Sequence, residues 1–111
     1  MQIIDFKLAV STREGQYIIR PEEIVRLESR DHTTLIFLDN HKQMQLNYTL
    51  SAFAEILGPL GFVRTHRAHV VNSSKVTFLS SKGMLSLKDS SFAVITKKAR
   101  PVLLELLRHK E

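Results

Sequence analysis

Residues 62–72 read FVRTHRAHVVN, a run in which Arg64, His66, Arg67 and His69 interrupt residues that are typical of a buried strand. Valine and phenylalanine at this density favour a β-strand. A strand that carries so many nitrogen donors could serve a metal ion, a catalytic base or a bound polyanion. Composition and spacing decide among the three.

Short segments rich in β-branched and aromatic residues continue on both sides of this run, and they predict a mainly β fold. Turn signals that contain Gly, Asn or Asp separate the segments. The predicted strand segments are FKLAV, YII, IVRLES, TTLIFL, QMQL, VTFLS, MLSL and FAVIT. Many short strands at close spacing are typical of a sandwich-like or barrel-like β architecture.

Two segments have helical spacing instead. Apolar residues recur at i, i+3, i+4 and i+7 within residues 50–57, where Thr49 suits an N-cap and Gly58 a C-terminal stop. A second helical pattern covers about residues 99–109, and Pro101 suits its first turn. The sequence therefore predicts one short internal helix and one C-terminal helix.

The bulk composition predicts one folded domain over residues 1–111, because no linker or repeat divides the chain. There is no cysteine, which excludes disulfides, thiolate metal sites and a cysteine nucleophile. No apolar run approaches the roughly 20 residues of a membrane span, and the N-terminus does not resemble a signal peptide. We expect a cytoplasmic protein without membrane contact.

The net charge of +5 is unevenly distributed along the chain. Residues 1–59 carry six basic and eight acidic side chains, whereas residues 60–100 carry eight basic and one acidic, and the last eleven residues balance. A clustered basic field is typical of a nucleic-acid surface. Lysines scattered over a solvated face would give the same count, so charge alone leaves both interpretations open.

Metal binding and catalysis find little support. If residues 62–72 form one strand, His66 and His69 point to opposite faces, and no carboxylate pair nearby completes a coordination set. The chain has no Gly-x-Ser-x-Gly elbow and no phosphate-cradling glycine loop. A surface turn explains the neighbours Asp31 and His32. We therefore expect no metal ion, no other cofactor, no catalytic residue and no enzymatic activity.

The ordered set of motifs resembles the LytTR-type DNA-binding domains. Residues 62–72 are similar to the signature strand of that family, which reads roughly F-x-R-x-H-R-S-[aromatic]-[aliphatic]-V-N. Residues 24–29, the Thr49-Leu50 helix start and residues 94–98 match further family segments in the same order. The resemblance covers most of the chain, and the His-Arg-x-x-x-Val-Asn element is its most specific part.

The resemblance implies a bacterial transcriptional regulator whose fold is an elongated stack of small antiparallel β-sheets. Such domains bind specific double-stranded DNA sequences through loops and strand ends that enter the major groove, typically on paired direct repeats. Most follow a phosphorylatable receiver domain in a two-component response regulator. Residues 1–111 leave no room for a receiver domain, so we expect either a stand-alone regulator or a domain excised from a larger response regulator. Met1 favours the former, which would be controlled by abundance or by a partner protein. A homodimer on DNA is a further expectation.

By position, the resemblance implies a role for individual residues. Base contacts are expected from His32, Arg67 and Lys97. Phosphate contacts are expected from Arg30, Arg64, His66, Lys75 and Lys98. Asn72 is assigned a structural role, locking a turn through its side-chain hydrogen bonds, with a DNA contact as the open alternative.

Three departures from the family pattern put the target sequence in doubt. Ala68 replaces the usual Ser and removes a hydroxyl donor, and His69 stands where an aromatic residue is common. Lys97 replaces Arg, and a lysine lacks the bidentate fork that reads a base. The alternative that stays open is a non-enzymatic, β-rich protein-interaction module with an incidental basic face. A helix-turn-helix is disfavoured, since some forty residues of strand pattern separate the two helices.

Overall fold

The computed structural model describes residues 1–108, which form eleven strands and two α-helices. The strands, numbered β1 to β11 in chain order, are Gln2–Ile4, Lys7–Thr12, Gly15–Ile19, Ile24–Arg30, Thr33–Leu38, Gln43–Leu46, Phe62–His66, His69–Asn72, Val76–Leu79, Met84–Leu87 and Phe92–Val94. Helix α1 is Leu50–Leu57 and helix α2 is Arg100–Arg108. Residue 109, the predicted last residue of the second helix, lies outside the described residues.

The strands form three antiparallel sheets. The central sheet has five strands in the order β6-β5-β4-β8-β7, and two three-stranded sheets have the orders β1-β2-β3 and β11-β10-β9. The molecule measures 43 × 30 × 24 Å along its principal axes. This architecture confirms the predicted elongated stack of small antiparallel sheets with two helices.

Each face of the central sheet covers its own hydrophobic cluster. On one face, Leu27 and Val70 pack with the β1–β3 sheet and with Phe53 of α1. On the other face, Val25 and Val71 pack with the β9–β11 sheet and with α2. Strand β4 contributes to both clusters because its register shifts between Ile24 and Arg26, so that Val25 and Leu27, two residues apart, face opposite sides of the sheet. The first four residues of β4 are buried, as its position in the middle of the stack requires.

Each of the eight strand segments predicted from the sequence overlaps a strand, and the internal helix has the predicted bounds. The hydroxyl of Thr49 caps α1 by accepting a hydrogen bond from the Ala52 N–H at 3.2 Å. Strand β1 was not predicted. It is joined to β2 by Asp5 and Phe6, both with positive φ, and neither residue carries the usual Gly or Asn signal of such a turn.

The expectation that residues 62–72 form one strand is wrong. The chain reverses at residues 67–68, so that β7 and β8 pair as a hairpin and His66 lies opposite His69. The two imidazole rings are therefore neighbours, with centroids 5.6 Å apart, and do not point to opposite faces. A two-residue hairpin turn normally carries Asn-Gly or a similar pair, and none is present here to reveal it.

Neither described helix is long and apolar enough to cross a membrane. Helix α2 starts at Arg100, one residue after the start predicted at about residue 99. The hydroxyl of Thr96 accepts a hydrogen bond from the Ala99 N–H at 3.1 Å just before it. Thr96 thus fixes where the link from β11 turns into the helix.

Candidate nucleic-acid interface

Three connecting segments present exposed cationic or imidazole side chains at one end of the central sheet. His32 lies in the β4–β5 turn and Arg67 in the β7–β8 turn. Lys97 and Lys98 lie in the link between β11 and α2. All four residues are exposed, and they include the three for which the sequence predicts base contacts.

Two backbone hydrogen bonds hold these segments together. The N–H of Ser29, near the end of β4, donates to the carbonyl of Ala68 at 3.0 Å, which places the β7–β8 turn beside the β4–β5 turn. The N–H of Thr96 donates to the carbonyl of Thr65 at 2.8 Å, which ties the β11–α2 link to strand β7. Residues distant in sequence thus reach one surface through the sheet order.

The centre of this surface is an open, basic depression. Arg64, His66, Arg67 and Lys98 all line it. Lys97 borders an adjoining hollow together with two further cations, Lys82 and Arg100. Among the described residues that line the two hollows, none is acidic. A concave surface with cations and no carboxylate on its walls concentrates positive potential, as a polyanion site requires.

Arg64 holds the β7–β8 turn in place. Its Nη1 donates to the Ser51 hydroxyl at 2.8 Å, and its Nη2 donates to the carbonyl of Arg67 at 2.6 Å. The guanidinium therefore links α1 to the turn that carries Arg67. Five N–H donors on an arginine leave others for a bound anion, so a phosphate contact and this internal role are compatible.

The two histidines of the hairpin have different environments. His66 is half-buried, and its Nδ1 accepts a hydrogen bond from the Ala68 N–H at 3.1 Å, which leaves Nε2 as the donor of the neutral ring. Burial lowers the pKa of His69, while the charge of Glu28 opposes that shift and the charges of Arg26 and His66 add to it. His69 is therefore expected to be neutral near pH 7.

Glu28 is the acidic centre beside these histidines. Burial alone would raise its pKa, but hydrogen bonds from Arg30 and Arg26 outweigh burial, and the pKa lies below its usual value. The distances are 2.9 Å from Arg30 Nε to Glu28 Oε2 and 3.1 Å from Arg26 Nη1 to Oε1. Arg30 is thus partly neutralised, although more than half of its side chain stays exposed.

Sequence reasoning missed this ion-pair group and the roles of Ser51 and Thr96. The i, i+2, i+4 spacing of Arg26, Glu28 and Arg30 on one strand was the signal that could have revealed the group, because such residues share a face. No local pattern marks Ser51, whose bond from Arg64 joins two elements. Thr96 bonds locally to the Ala99 N–H, and a threonine just before a helix was the signal that could have revealed it.

The structure does not bring Lys75 to this surface. Lys75 follows β8 near the opposite end of the central sheet, about 20 Å away along the seven residues of β4. Its Nζ lies 3.7 Å from Asp39 Oδ2, and its side chain is only 18 % exposed. An ammonium group that is paired and largely covered is a poor phosphate ligand.

Asn72 lies at the same distant end and is 4 % exposed. Its Nδ2 donates to the carbonyl of Ile24 at 2.9 Å, and its Oδ1 accepts from the N–H and the hydroxyl of Ser74 at 3.1 and 2.7 Å. These bonds give it the turn-locking geometry that the sequence favours.

The two neighbouring histidines, His66 and His69, are not part of a larger cluster of metal-ligating side chains in residues 1–108. Within residues 1–108, no group of three or more His, Asp or Glu side chains converges with the geometry of a metal site. The hairpin supplies two imidazoles, and Glu28 of β4 places one carboxylate oxygen 4.0 Å from His69 Nδ1. That oxygen also accepts from Arg26.

Comparisons with known proteins are consistent with this geometry. Residues 14–108 match the family model of the LytTr DNA-binding domain. The fold is similar to the solved LytTr DNA-binding domain of a Bacillus cereus protein named as a methyl-accepting/DNA response regulator. The TM-score is 0.73 at 19 % identity, and the match covers 93 % of this chain and 97 % of that one. No curated protein matches the chain in sequence.

Proposed function

The chain belongs to the LytTR family of DNA-binding domains, and from that premise we propose that it recognises specific double-stranded DNA sequences through the three segments at the basic end of its central sheet. The observation that carries the proposal is the open depression between Arg67 and Lys98, whose described lining contains Arg64, Arg67 and Lys98 and no carboxylate. The turns that surround it project from the sheet and can enter a major groove without a recognition helix.

Base reading is assigned to His32, Arg67 and Lys97, which are exposed on three separate segments. An arginine can donate two hydrogen bonds to O6 and N7 of guanine, and a histidine or lysine can donate one to a purine acceptor. The bond from Arg64 to the carbonyl of Arg67 supports the proposed role of Arg67, because a fixed turn loses less conformational entropy on binding.

Phosphate contacts are assigned to Lys98, Arg30 and His66, with Arg64 as a further donor at the rim of the depression. Lys98 and Arg30 are exposed, and His66 keeps its Nε2 as a donor. Lys75 is left out of the interface because of its ion pair and its location.

The wider biological setting follows from the family. We propose that residues 1–111 act as one domain in the cytoplasm of a bacterium, without catalytic activity. Paired direct repeats would place two copies on one operator, and a receiver domain or a separate regulatory protein would supply the input signal. The response-regulator name of the Bacillus cereus relative supports this setting.

The test is selection of binding sites from a random duplex library, with the Arg67→Ala variant selected in parallel. A sequence motif enriched by the natural chain and weakened at one position by the variant is the expected result. Affinity for the enriched duplex should fall steeply with salt, with a slope of about −0.9 per phosphate contact in log K against log[salt]. No enriched motif together with salt-independent binding would favour the interaction-module alternative.

A further inference from the structure

The β9–β11 sheet has one buried and one exposed apolar face. Leu85 and Leu87 of β10 point inward and are fully buried in the second hydrophobic cluster. The side chains that point outward include Phe78 at 63 % and Phe92 at 60 % exposure, followed by Met84 and Val94 at about 40 %. We call these four residues the outer Phe face. Exposed aromatic residues grouped in this way are typical of binding surfaces.

The strand register makes the outer Phe face a slot. Phe78 of β9 and Phe92 of β11 both lie directly opposite Ser86 of the central strand β10, so the small serine separates the two rings. Strands about 4.8 Å apart place the two phenylalanines roughly 10 Å apart, which leaves room for one inserted side chain. The pair Met84 and Val94 continues the apolar floor along the sheet.

The charges around this slot are positive. Lys82 and Lys88 are exposed in the two turns at opposite ends of β10. Asp89, the acidic residue within residues 76–98, directs its Oδ1 to the N–H and the hydroxyl of Ser91. Two exposed lysines against one carboxylate leave the frame of the slot with a net positive charge.

We propose that the outer Phe face docks a second protein through an apolar side chain that is flanked by acidic residues. A second copy of this chain fits poorly, because pairing the face with itself would bring Lys82 and Lys88 against their own equivalents. Duplex DNA would satisfy the lysines but offers the two phenylalanine rings no comparable apolar surface. A partner protein with an apolar side chain surrounded by acidic residues complements both the slot between the phenylalanines and the two lysines.

The inference goes beyond DNA recognition, and the position of the face suggests when docking would occur. Strand β11, which carries Phe92 and Val94, leads directly into Lys97 and Lys98. A partner on the outer Phe face would thus sit beside a bound duplex. Docking itself needs no DNA, so it can be tested without assuming the proposed function.

The experiment screens a random peptide library for binding to the full chain, with and without the duplex enriched in the DNA selection. The counter-selection uses the double variant Phe78→Ser/Phe92→Ser, which changes only exposed positions. We expect enriched peptides that combine Leu, Met or an aromatic residue with Asp or Glu. Synthetic copies should bind the double variant at least about tenfold more weakly in fluorescence anisotropy, a loss of about 1.4 kcal/mol. The charge-reversal variant Lys82→Glu/Lys88→Glu should also lose affinity for these acidic peptides.

Other outcomes would overturn the proposal. Peptides retained equally by the double variant would show that the face does not bind them. Enrichment of basic peptides would contradict the assigned charge of the partner. Self-association that sedimentation detects in the natural chain but not in the double variant would identify a second copy as the occupant. A loss of duplex affinity in a double variant of unchanged thermal stability would place the face in the DNA interface instead.

Discussion

The two ends of the central sheet contain similar residues in very different states. At the end formed by the β4–β5 and β7–β8 turns, His32 and Arg67 project from the sheet with exposed side chains. At the opposite end, Lys75 is paired with Asp39 and Asn72 is buried with its amide bonded to the chain. Both ends include residues singled out from the sequence, yet one end is available to a ligand and the other is occupied by its own contacts.

The difference shows that exposure and internal partners decide whether a polar side chain is available to a ligand or already used to hold the fold. A cation that already has an internal partner and little exposure gains less from a phosphate than a cation in water, because the internal pair must first be broken. A count of lysines and arginines in sequence cannot make this distinction. The side-chain contacts can.

Removing Asn72 should have the largest effect and should act on stability. In Asn72→Ala, the carbonyl of Ile24 and the N–H of Ser74 lose their bonds. A buried polar group left without a partner costs about 1–3 kcal/mol, so the free energy of unfolding should fall by about 2–4 kcal/mol. Urea denaturation monitors this loss, and Ser74→Ala, which keeps the bond from Asn72 to Ile24 and removes only one hydroxyl donor, is the milder control. If Asn72→Ala has the stability of the natural chain, the contacts of Asn72 do not stabilise the fold, and the proposed difference between the two ends is wrong.

At the exposed end, Arg67→Ala should leave the free energy of unfolding nearly unchanged and should weaken the preferred duplex by about 1–3 kcal/mol. The loss should concentrate at one base pair in competition against single-base operator mutants. Arg67→Lys keeps the charge and removes the fork, so it should recover affinity but not discrimination. An equal loss on every mutant duplex would show that Arg67 contacts phosphate and not a base.

Lys98 and Lys75 provide a matched pair of lysines, one from each end. Lys98→Ala should lower the salt slope of duplex binding by about one contact, because Lys98 is exposed in the basic depression. Lys75→Ala should leave the slope unchanged, because its ammonium already faces Asp39. Titrations at four or five salt concentrations give both slopes. A slope reduced equally by both variants would extend the DNA surface to the far end of the sheet.

The sequence was sufficient for most of the fold and for part of the site. Alternating apolar residues and Gly- or Asp-containing turns located eight strands, and the cap at Thr49 located α1. The hairpin at residues 67–68 was missed because no turn residue marks it. The bonds that hold the turn, from Arg64 to the carbonyl of Arg67 and from the Ser29 N–H to the carbonyl of Ala68, are not revealed by residue type. The same limit applies to Lys75, since its partner Asp39 comes from a distant turn.

The last prediction concerns pH, and its expected effect on stability is the smallest. Burial keeps the pKa of His69 below the ordinary value of 6.5, so the unfolded chain takes up a proton more readily than the folded chain as pH falls. The free energy of unfolding should therefore decrease as pH drops below about 6.5. Glu28 adds its own loss only below its ordinary value of 4.5, because its pKa is also lowered in the folded state.

His69→Phe separates the two contributions, since it removes the titrating group and restores the aromatic residue that the family usually has. The variant should flatten the decline in stability between pH 6.5 and 5 and keep the decline below 4.5, where Glu28 remains. Denaturation midpoints measured across this range give both slopes. His66→Gln is the control, because it changes the neighbouring histidine and keeps His69. It should leave the decline in stability between pH 6.5 and 5 largely in place. If His69→Phe keeps the decline of the natural chain, another histidine controls it, and the basic end is less tightly packed around His69 than its 14 % side-chain exposure indicates.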